Sequence, residues 1–264
     1  MMKGYRNVLL AMAALVASTA ISAEPGTLPR VAIIIDDIGD RLVEGKLAAT
    51  LPGPVACAFL PHTPHATELA ELAYTAGKEV LLHLPLQSLN GKALGPGAIT
   101  LDTTENEFRR ILAADLAAIP HVRGVNNHMG SLLTRHPGHM TWLMRVLAER
   151  GDLFFVDSYT HPASVALAIA HEQGIRSARR DVFLDNVPDR GAIGLQFERL
   201  VDEAKRNGAA IGIGHPYPET LAFLADVLPG LGEDFGVELV PVETLLSVPP
   251  HWAGAKESQH AVVP

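Results

Sequence analysis

The sequence predicts a single α/β domain in which helices cover a parallel sheet. From Val31 onward, short apolar runs alternate with segments of helical periodicity, and strict alternation is typical of parallel β/α architectures. An eight-unit barrel and an open doubly wound sheet both fit this pattern. The barrel is favoured because polar strand ends occur along the whole chain, whereas an open sheet concentrates its site near one switch point.

Seven or eight strands are expected from the apolar runs. They begin near residues 31, 55, 79, 122, 153, 177–183, 209 and 237. The residues at or just beyond their carboxyl ends that can bind a metal, move a proton or form a polar contact are Asp36, Asp37, His62, His83, Asn126, Asn127, His128, Asp157, Asp185 and His215. Because loops converge at this end of a parallel sheet, these residues predict one shared polar site.

The intervening segments carry helix signals. Apolar residues within 140–147, and again within 193–204, recur at the i, i+3, i+4 and i+7 spacing of a buried helix face. Thr104 followed by Glu107 predicts a capping box at the start of another helix. The segment from Leu86 to Thr103 has no clear periodicity, and a loop that long in a compact domain is usually functional or mobile.

The amino-terminal 23 residues read as a secretory signal peptide. Lys3 and Arg6 precede an apolar stretch, and small residues follow it up to Ala23, which is the usual layout of such signals. An uncleaved anchor is the alternative, but the apolar stretch is short for spanning a bilayer. We therefore expect an exported protein, periplasmic or otherwise extracytoplasmic. We also expect a folded domain over residues 30–247 and a flexible tail over residues 248–264.

Charge and cysteine content exclude several classes of protein. The chain has 21 basic and 29 acidic residues, for a net charge of −8. Nucleic acids and anionic membrane surfaces both require basic patches, so neither is an expected partner. Cys57 is the sole cysteine, which excludes an intramolecular disulfide. The segment Asp36–Asp40 follows the first strand where nucleotide-binding folds carry a glycine-rich phosphate loop.

The adjacent carboxylates Asp36 and Asp37 are the strongest functional signal. They end an isoleucine-rich strand that should be buried on both faces. Two carboxylates there are costly unless they are paired, hydrogen-bonded or bound to a cation. The alternative is that one of them caps a helix beginning near Arg41.

Three histidines follow strands in the same way. His83 has apolar neighbours on both sides, which favours a metal ligand or a core histidine over a solvated one. His128 lies among small and amide residues, a composition that predicts a tight polar loop or turn. His215 ends a glycine-lined strand and is a candidate general acid. His62 and His65 flank Pro64, which favours a turn at a helix start, with His62 at most a rim contact.

Together these residues predict an open metal site. One carboxylate and two imidazoles form a common zinc ligand set that leaves coordination positions for water and substrate. Asp37, His83 and His128 would bind a divalent metal, with zinc the expected ion, and that constellation hydrolyses amides or esters. Asp36 would act as the base and His215 as the acid.

The assembled chain resembles the divergent polysaccharide deacetylase family. The matching segments are VAIIIDDIG, FLPHTPHATELAELAYTAGKEVLLHLPLQ, GVNNHMGSLLT, FFVDSYT and IGIGHPYPETL. The resemblance implies a distorted parallel barrel of seven or eight β/α units and an exported, metal-dependent sugar N- or O-deacetylase. By position it implies that Asp36 is the base, Asp37 a metal ligand and His215 the acid. Asn126, Asn127, Asp157 and Asp185 are expected to contact the substrate or support the ligands.

Two departures from the ordinary deacetylase pattern keep a second hypothesis open. The usual His-x-x-x-His pair is reduced to His83, followed by Leu84 to Gln87, so His128 must supply the second imidazole. The usual Arg-x-Pro motif is replaced by the sequence around Asn126 and Asn127. The alternative is therefore a weakly active or inactive module that binds an envelope glycan or a partner protein. A phosphoesterase that uses Arg179 and Arg180 is a weaker third possibility.

Overall fold

A computed structural model describes residues 28–246 of the protein. The expected signal peptide and the expected tail from residue 248 lie outside the described residues. The strands are β1 (Arg30–Ile38), β2 (Ala56–Phe59), β3 (Val80–Leu86), β4 (Val122–Met129), β5 (Phe154–Asp157), β6 (Ser177–Arg179), β7 (Val182–Phe183), β8 (Ala209–Gly214) and β9 (Glu238–Leu239). The α-helices are α1 (Leu42–Ala49), α2 (Ala66–Thr75), α3 (Glu105–Ala118), α4 (Pro137–Arg150), α5 (Ala166–Glu172), α6 (Arg190–Asn207) and α7 (Pro218–Val227).

The sheet is an open, curled barrel of parallel strands. Its order is β6-β5-β4-β3-β2-β1-β8-β7, and β9 adds to β1. The order follows the chain without a reversal, which confirms the barrel over the doubly wound sheet. Between the described strands β6 and β7 no ladder closes the ring. Instead, the backbone N–H of Arg180 donates to Asp157 on β5 and that of Asp181 donates to Ile211 on β8. One short segment thus bridges the gap.

Strand alternation divides the core into two layers. Outward residues such as Ile33 and Leu82 pack under the helices. A smaller inner cluster fills the barrel and consists of Ala32, Ile34, Ala56, Ala58, Leu81, Phe154, Val156, Ile211, Ile213 and Val242. Because successive side chains alternate faces, the inner series continues to Asp36 on β1 and His83 on β3. The apolar floor of the barrel thus leads directly to its polar rim.

The predicted capping box and the two predicted helical faces are present in the structure. Thr104 and Glu107 form both hydrogen bonds of a capping box at the start of α3, and the predicted helical faces lie on α4 and α6. Within residues 28–246, no helix combines the length and apolar composition that crossing a bilayer requires.

The tight inner layer gives a test of the packing. A Cβ atom built on Gly124 would lie 2.3 Å from the ring of Phe154, which is fully buried. We expect Gly124→Ala to lower the free energy of unfolding by about 1–3 kcal/mol through overpacking. In Gly138→Ala the nearest atoms would be 3.6 Å away, and we expect this variant to be neutral or more stable by up to about 1 kcal/mol. Urea denaturation measures both; equal stabilities would contradict the described packing.

Candidate metal centre

The end of β1 departs from regular strand geometry at the carboxylate pair. The pairing with β2 shifts register between Ile35 and Ile38, and Asp37 has a φ of 55°. This left-handed backbone is unusual for a residue with a side chain and clusters at functional sites. Asp36 keeps its inward position, while the distortion turns Asp37 towards the same rim. Neither carboxylate caps α1, whose N-cap is Arg41 without a side-chain hydrogen bond, so the capping alternative is wrong.

The adjacent strands bring two imidazoles to Asp37. Its Oδ1 atom lies 2.8 Å from Nδ1 of His128 and 3.1 Å from Nε2 of His83. The two imidazole nitrogens are 3.2 Å apart. His128 reaches this point because β4 continues as a strand to Met129 and pairs there with β3. The expected loop or turn at residues 126–128 is therefore wrong.

The three atoms fit a divalent cation. Ligands of a tetrahedral zinc ion lie roughly 3.3 Å apart, given bond lengths of about 2.0–2.1 Å, and the observed separations approach this value. Oδ1 of Asp37 is buried and has no directed hydrogen bond, despite its short distances to both imidazoles. A buried carboxylate oxygen in that state indicates that the three groups face a common point. One oxygen and two nitrogen ligands suit zinc and similar metals.

Asn126 connects the imidazole of His83 with the neighbouring carboxylate. Its Oδ1 atom lies 2.9 Å from Nδ1 of His83, and its Nδ2 atom donates to Oδ1 of Asp36 at 2.7 Å. Because the amide oxygen only accepts, Nδ1 of His83 carries the proton. Nε2, which faces Asp37, is then free to act as a ligand in neutral His83. This is the arrangement by which a second group fixes the tautomer of a metal-binding histidine.

The electrostatics of the rim favour added positive charge. Burial raises the pKa of Asp36 above its usual value, although the charges of His83 and His215 oppose the shift. Burial also opposes ionisation of Asp37, but His128 and His83 outweigh it and lower its pKa. The pKa of His83 is raised, because Asp36 and Asp37 outweigh the effect of its burial. These shifts have a common cause in the negative charge of the two carboxylates, which a divalent cation bound at the rim would also offset.

His215 is held from behind by Asp185. Oδ1 of Asp185 lies 2.8 Å from Nδ1 of His215, and Oδ2 accepts from the His215 backbone N–H at 2.6 Å and from Thr220 at 2.8 Å. Nε2 of His215 lies 3.9 Å from Oδ2 of Asp37. Burial opposes protonation of His215, but Asp185 and the rim carboxylates raise its pKa to about 9. At neutral pH this imidazole is a proton donor.

These groups open into a cleft of about 490 Å³. Its lining includes Asp37, His128 and His215 together with His62 and residues 93–96. The cleft therefore connects the Asp-His-His cluster with solvent, as access for a substrate requires.

The remaining predicted residues lie near the rim but face other partners. Asn127 accepts from the Ser158 backbone N–H and donates to the Met129 carbonyl. Asp157 accepts from the Tyr159 backbone and from Ser164. These contacts fix the loops behind the site.

The two arginines of the phosphoesterase alternative are also engaged elsewhere. Arg180 donates to the carbonyls of Ser158 and Tyr159 and stacks on Phe183, while Arg179 lies over the Tyr159 ring. Neither lines the cleft.

Sequence reasoning missed Asp115. It lies on α3, is completely buried, and has Oδ1 2.9 Å from Nε2 of His62. A signal was available, because Asp115 continues the apolar face of Phe108 and Leu112 at helical spacing. A carboxylate on the core face of a helix requires a partner.

The chain belongs to the divergent polysaccharide deacetylase family, whose sequence profile matches residues 33–246. It is 36% identical over 245 residues to the uncharacterized protein YibQ of Escherichia coli, covering 93% of this chain and 75% of that protein. It is also 36% identical over 216 residues to an uncharacterized protein of Haemophilus influenzae, covering 82% of this chain and 76% of that protein.

Two solved structures share the fold. The uncharacterized protein ATU2773 from Agrobacterium tumefaciens superposes with a TM-score of 0.79 at 25% identity, covering 84% of this chain and 91% of that one. The catalytic domain of a peptidoglycan N-acetylglucosamine deacetylase from Eubacterium rectale superposes with a TM-score of 0.52 at 14% identity, covering 88% and 97%. The expected deacetylase-type barrel is confirmed.

The contacts of Asp185 predict a large effect on stability. Asp185→Ala leaves Thr220 and two donors of His215 without their acceptor, and we expect the free energy of unfolding to fall by about 1–3 kcal/mol. Asp226 pairs with Arg190 at the surface, so Asp226→Ala should change stability by about 0.5 kcal/mol or less. Urea denaturation of both variants provides the measurement, and similar losses would argue against the described role of Asp185.

Proposed function

We propose that this protein is an exported, metal-dependent hydrolase that removes N- or O-acetyl groups from a polysaccharide. The convergence of Asp37, His83 and His128 at the mouth of a cleft, with Asp36 and His215 beside them, carries the proposal. Membership of the divergent polysaccharide deacetylase family supports a carbohydrate substrate. Export is proposed from the signal-like residues 1–23, and the substrate is then a glycan of the cell envelope or its surroundings.

In the proposed site, Asp37, His83 and His128 hold the divalent cation, which we assign as zinc. When bound, such a cation polarises a carbonyl oxygen and lowers the pKa of water. Asn126 keeps His83 in the tautomer that leaves Nε2 unprotonated. The same amide orients Asp36, so one side chain positions both a ligand and the proposed base.

Proton transfer is assigned to two groups on either side of Asp37. Asp36 accepts the proton of the attacking water as its oxygen adds to the acetyl carbon. His215 then donates a proton to the sugar nitrogen or oxygen as the bond to the acetyl carbon breaks. A raised pKa suits both roles, because Asp36 can hold a proton nearer neutral pH and His215 starts protonated. Asp185 keeps Nε2 of His215 directed towards the site.

Metal binding tests the first part of the proposal. We expect the purified protein to bind one zinc ion, and Asp37→Ala to abolish binding measured by calorimetry. Asn126→Ala removes the partner of His83 and should weaken zinc binding by about 10- to 100-fold. Asp40→Ala is the matched control, because Asp40 is an exposed carboxylate three residues from Asp37. Unchanged zinc binding in Asp37→Ala would contradict the proposed metal centre.

Acetate release tests the reaction. The zinc-loaded protein should release acetate from acetylated amino-sugar oligomers, and Asp36→Ala should reduce the rate by at least about 100-fold while retaining zinc. Asp152→Ala, an exposed carboxylate before β5, should have no effect. A protein that binds both zinc and glycan without any acetate release would instead support the binding-module alternative.

A further inference from the structure

His62 lines the same cleft as Asp37, His128 and His215, and a buried carboxylate holds its imidazole. Its Nε2 atom lies 2.9 Å from Oδ1 of Asp115, and its side chain is 39% exposed. Nδ1 of His62 has no hydrogen-bond partner among the described residues, so the ring is fixed on one edge and free on the other. No side-chain hydrogen bond among the described residues joins this pair to the Asp-His-His cluster.

The backbone around His62 is constrained. His62 has a φ of 58°, which is costly for a residue with a side chain. The surrounding turn is held to the segment after Asp37: Leu60 donates its N–H to Ile38, and His65 donates to Gly39. The structure thus holds the imidazole at the cleft at a strained backbone position.

Asp115 also packs against the loop that contributes residues 93–96 to the cleft. It is fully buried, and its Oδ2 atom has no partner among the described residues. Gly97, with a φ of 75°, passes so close that a Cβ atom there would lie 2.3 Å from Oδ1 of Asp115. Residues 93–96, immediately before Gly97, line the cleft. One carboxylate therefore contacts both the His62 ring and the long loop that lines the cleft.

The cost of burying Asp115 indicates a role beyond packing. Burial raises its pKa to about 6, although His62 opposes the shift. A leucine would fill the same helix position without this cost. Carboxylate–imidazole pairs of this kind orient the ring and strengthen the hydrogen bond made by its other nitrogen.

We propose that His62 and Asp115 form a second saccharide subsite, in which Nδ1 of His62 binds an oxygen atom of the sugar next to the one at the metal centre. The inference rests on the proposed function and adds to it a preference for oligomers over single sugars. Asp115 is the positioning residue of this subsite. The apolar residues Leu94 and Pro96 supply a surface for the sugar ring.

The test is a binding measurement that does not depend on turnover. Zinc-loaded protein carrying Asp36→Ala is titrated by calorimetry with the β-1,4-linked N-acetylglucosamine tetramer and with the monomer. Adding His62→Gly removes the imidazole and suits the left-handed backbone. We expect it to weaken tetramer binding about tenfold or more, as the loss of one hydrogen bond to a paired group does, and to leave monomer binding unchanged.

His121 provides a matched control. Its Nε2 atom lies 2.9 Å from Oε2 of Glu71, and its φ is 63°. It thus has the same backbone conformation and an imidazole–carboxylate contact of the same length, but its partner Glu71 is exposed and it precedes β4 at the opposite end of the barrel. His121→Gly should leave tetramer binding unchanged.

Variants of Asp115 test the positioning role. Asp115→Asn keeps an acceptor for His62 and should weaken tetramer binding less than Asp115→Ala does. In the His62→Gly background, Asp115→Ala should cause little further loss, because the two side chains act together. Circular dichroism checks the folding of each variant, and His62→Gly decides the question where Asp115→Ala fails to fold.

The outcomes separate the subsite from the reaction. Equal tetramer affinity with and without His62→Gly overturns the subsite, whether or not acetate is released. Absence of tetramer binding in the presence of acetate release overturns it as well. Tetramer binding that depends on His62, without acetate release by the otherwise unaltered protein, supports the subsite and overturns the proposed reaction. If the protein neither binds the tetramer nor releases acetate, both the subsite and the proposed reaction are overturned.

Discussion

The burial of Asp36, and of one oxygen atom of the adjacent Asp37, at the end of β1 is the constraint on which the rest of the rim depends. Asp36 is 2% exposed, and carboxylates removed from water need hydrogen bonds, opposite charge or a cation. Asn126 donates to Asp36, and the imidazoles of His83 and His128 face Asp37. Each of these groups lies on a different strand from the carboxylates, so the site exists only when the parallel barrel has formed.

The barrel meets this requirement through the regular alternation of its strands. The same alternation that places Ile34 and Leu81 inside the barrel places Asp36 and His83 inside it one step further along. Asp37 would face outward in a regular strand. The register shift and the left-handed backbone at Asp37 reverse its direction and bring both carboxylates to one rim. A local irregularity thus adds the proposed ligand Asp37, which regular geometry would have left on the helix side.

This division explains which features could be predicted from the sequence. Apolar runs and helical spacing are local patterns, so the strand series and the barrel were predictable. The clustering of His83 with His128 followed from the convergence of strand ends, although the strand character of residues 126–128 did not, because small and amide residues are typical of turns. The bulge at Asp37 and the pairing of His62 with Asp115 depend on backbone geometry and on contacts between distant segments. The local sequence around any one of these residues contains little information about such geometry or contacts.

Two imidazoles that line the cleft are held in the same way but differ in exposure. His215 and His62 each have one ring nitrogen held by a buried carboxylate, Asp185 and Asp115. Asp185 accepts hydrogen bonds from several donors, and its partner His215 lies beside Asp37, which suits proton transfer. Asp115 has one hydrogen-bond partner, His62, and one oxygen atom without a partner among the described residues. The imidazole of His62 is more exposed than that of His215, which suits contact with a ligand that enters from solvent. In the proposed reaction, this difference in exposure rather than in residue type separates the proton donor from the group that recognises the neighbouring sugar, because solvent access determines which part of the substrate each imidazole meets.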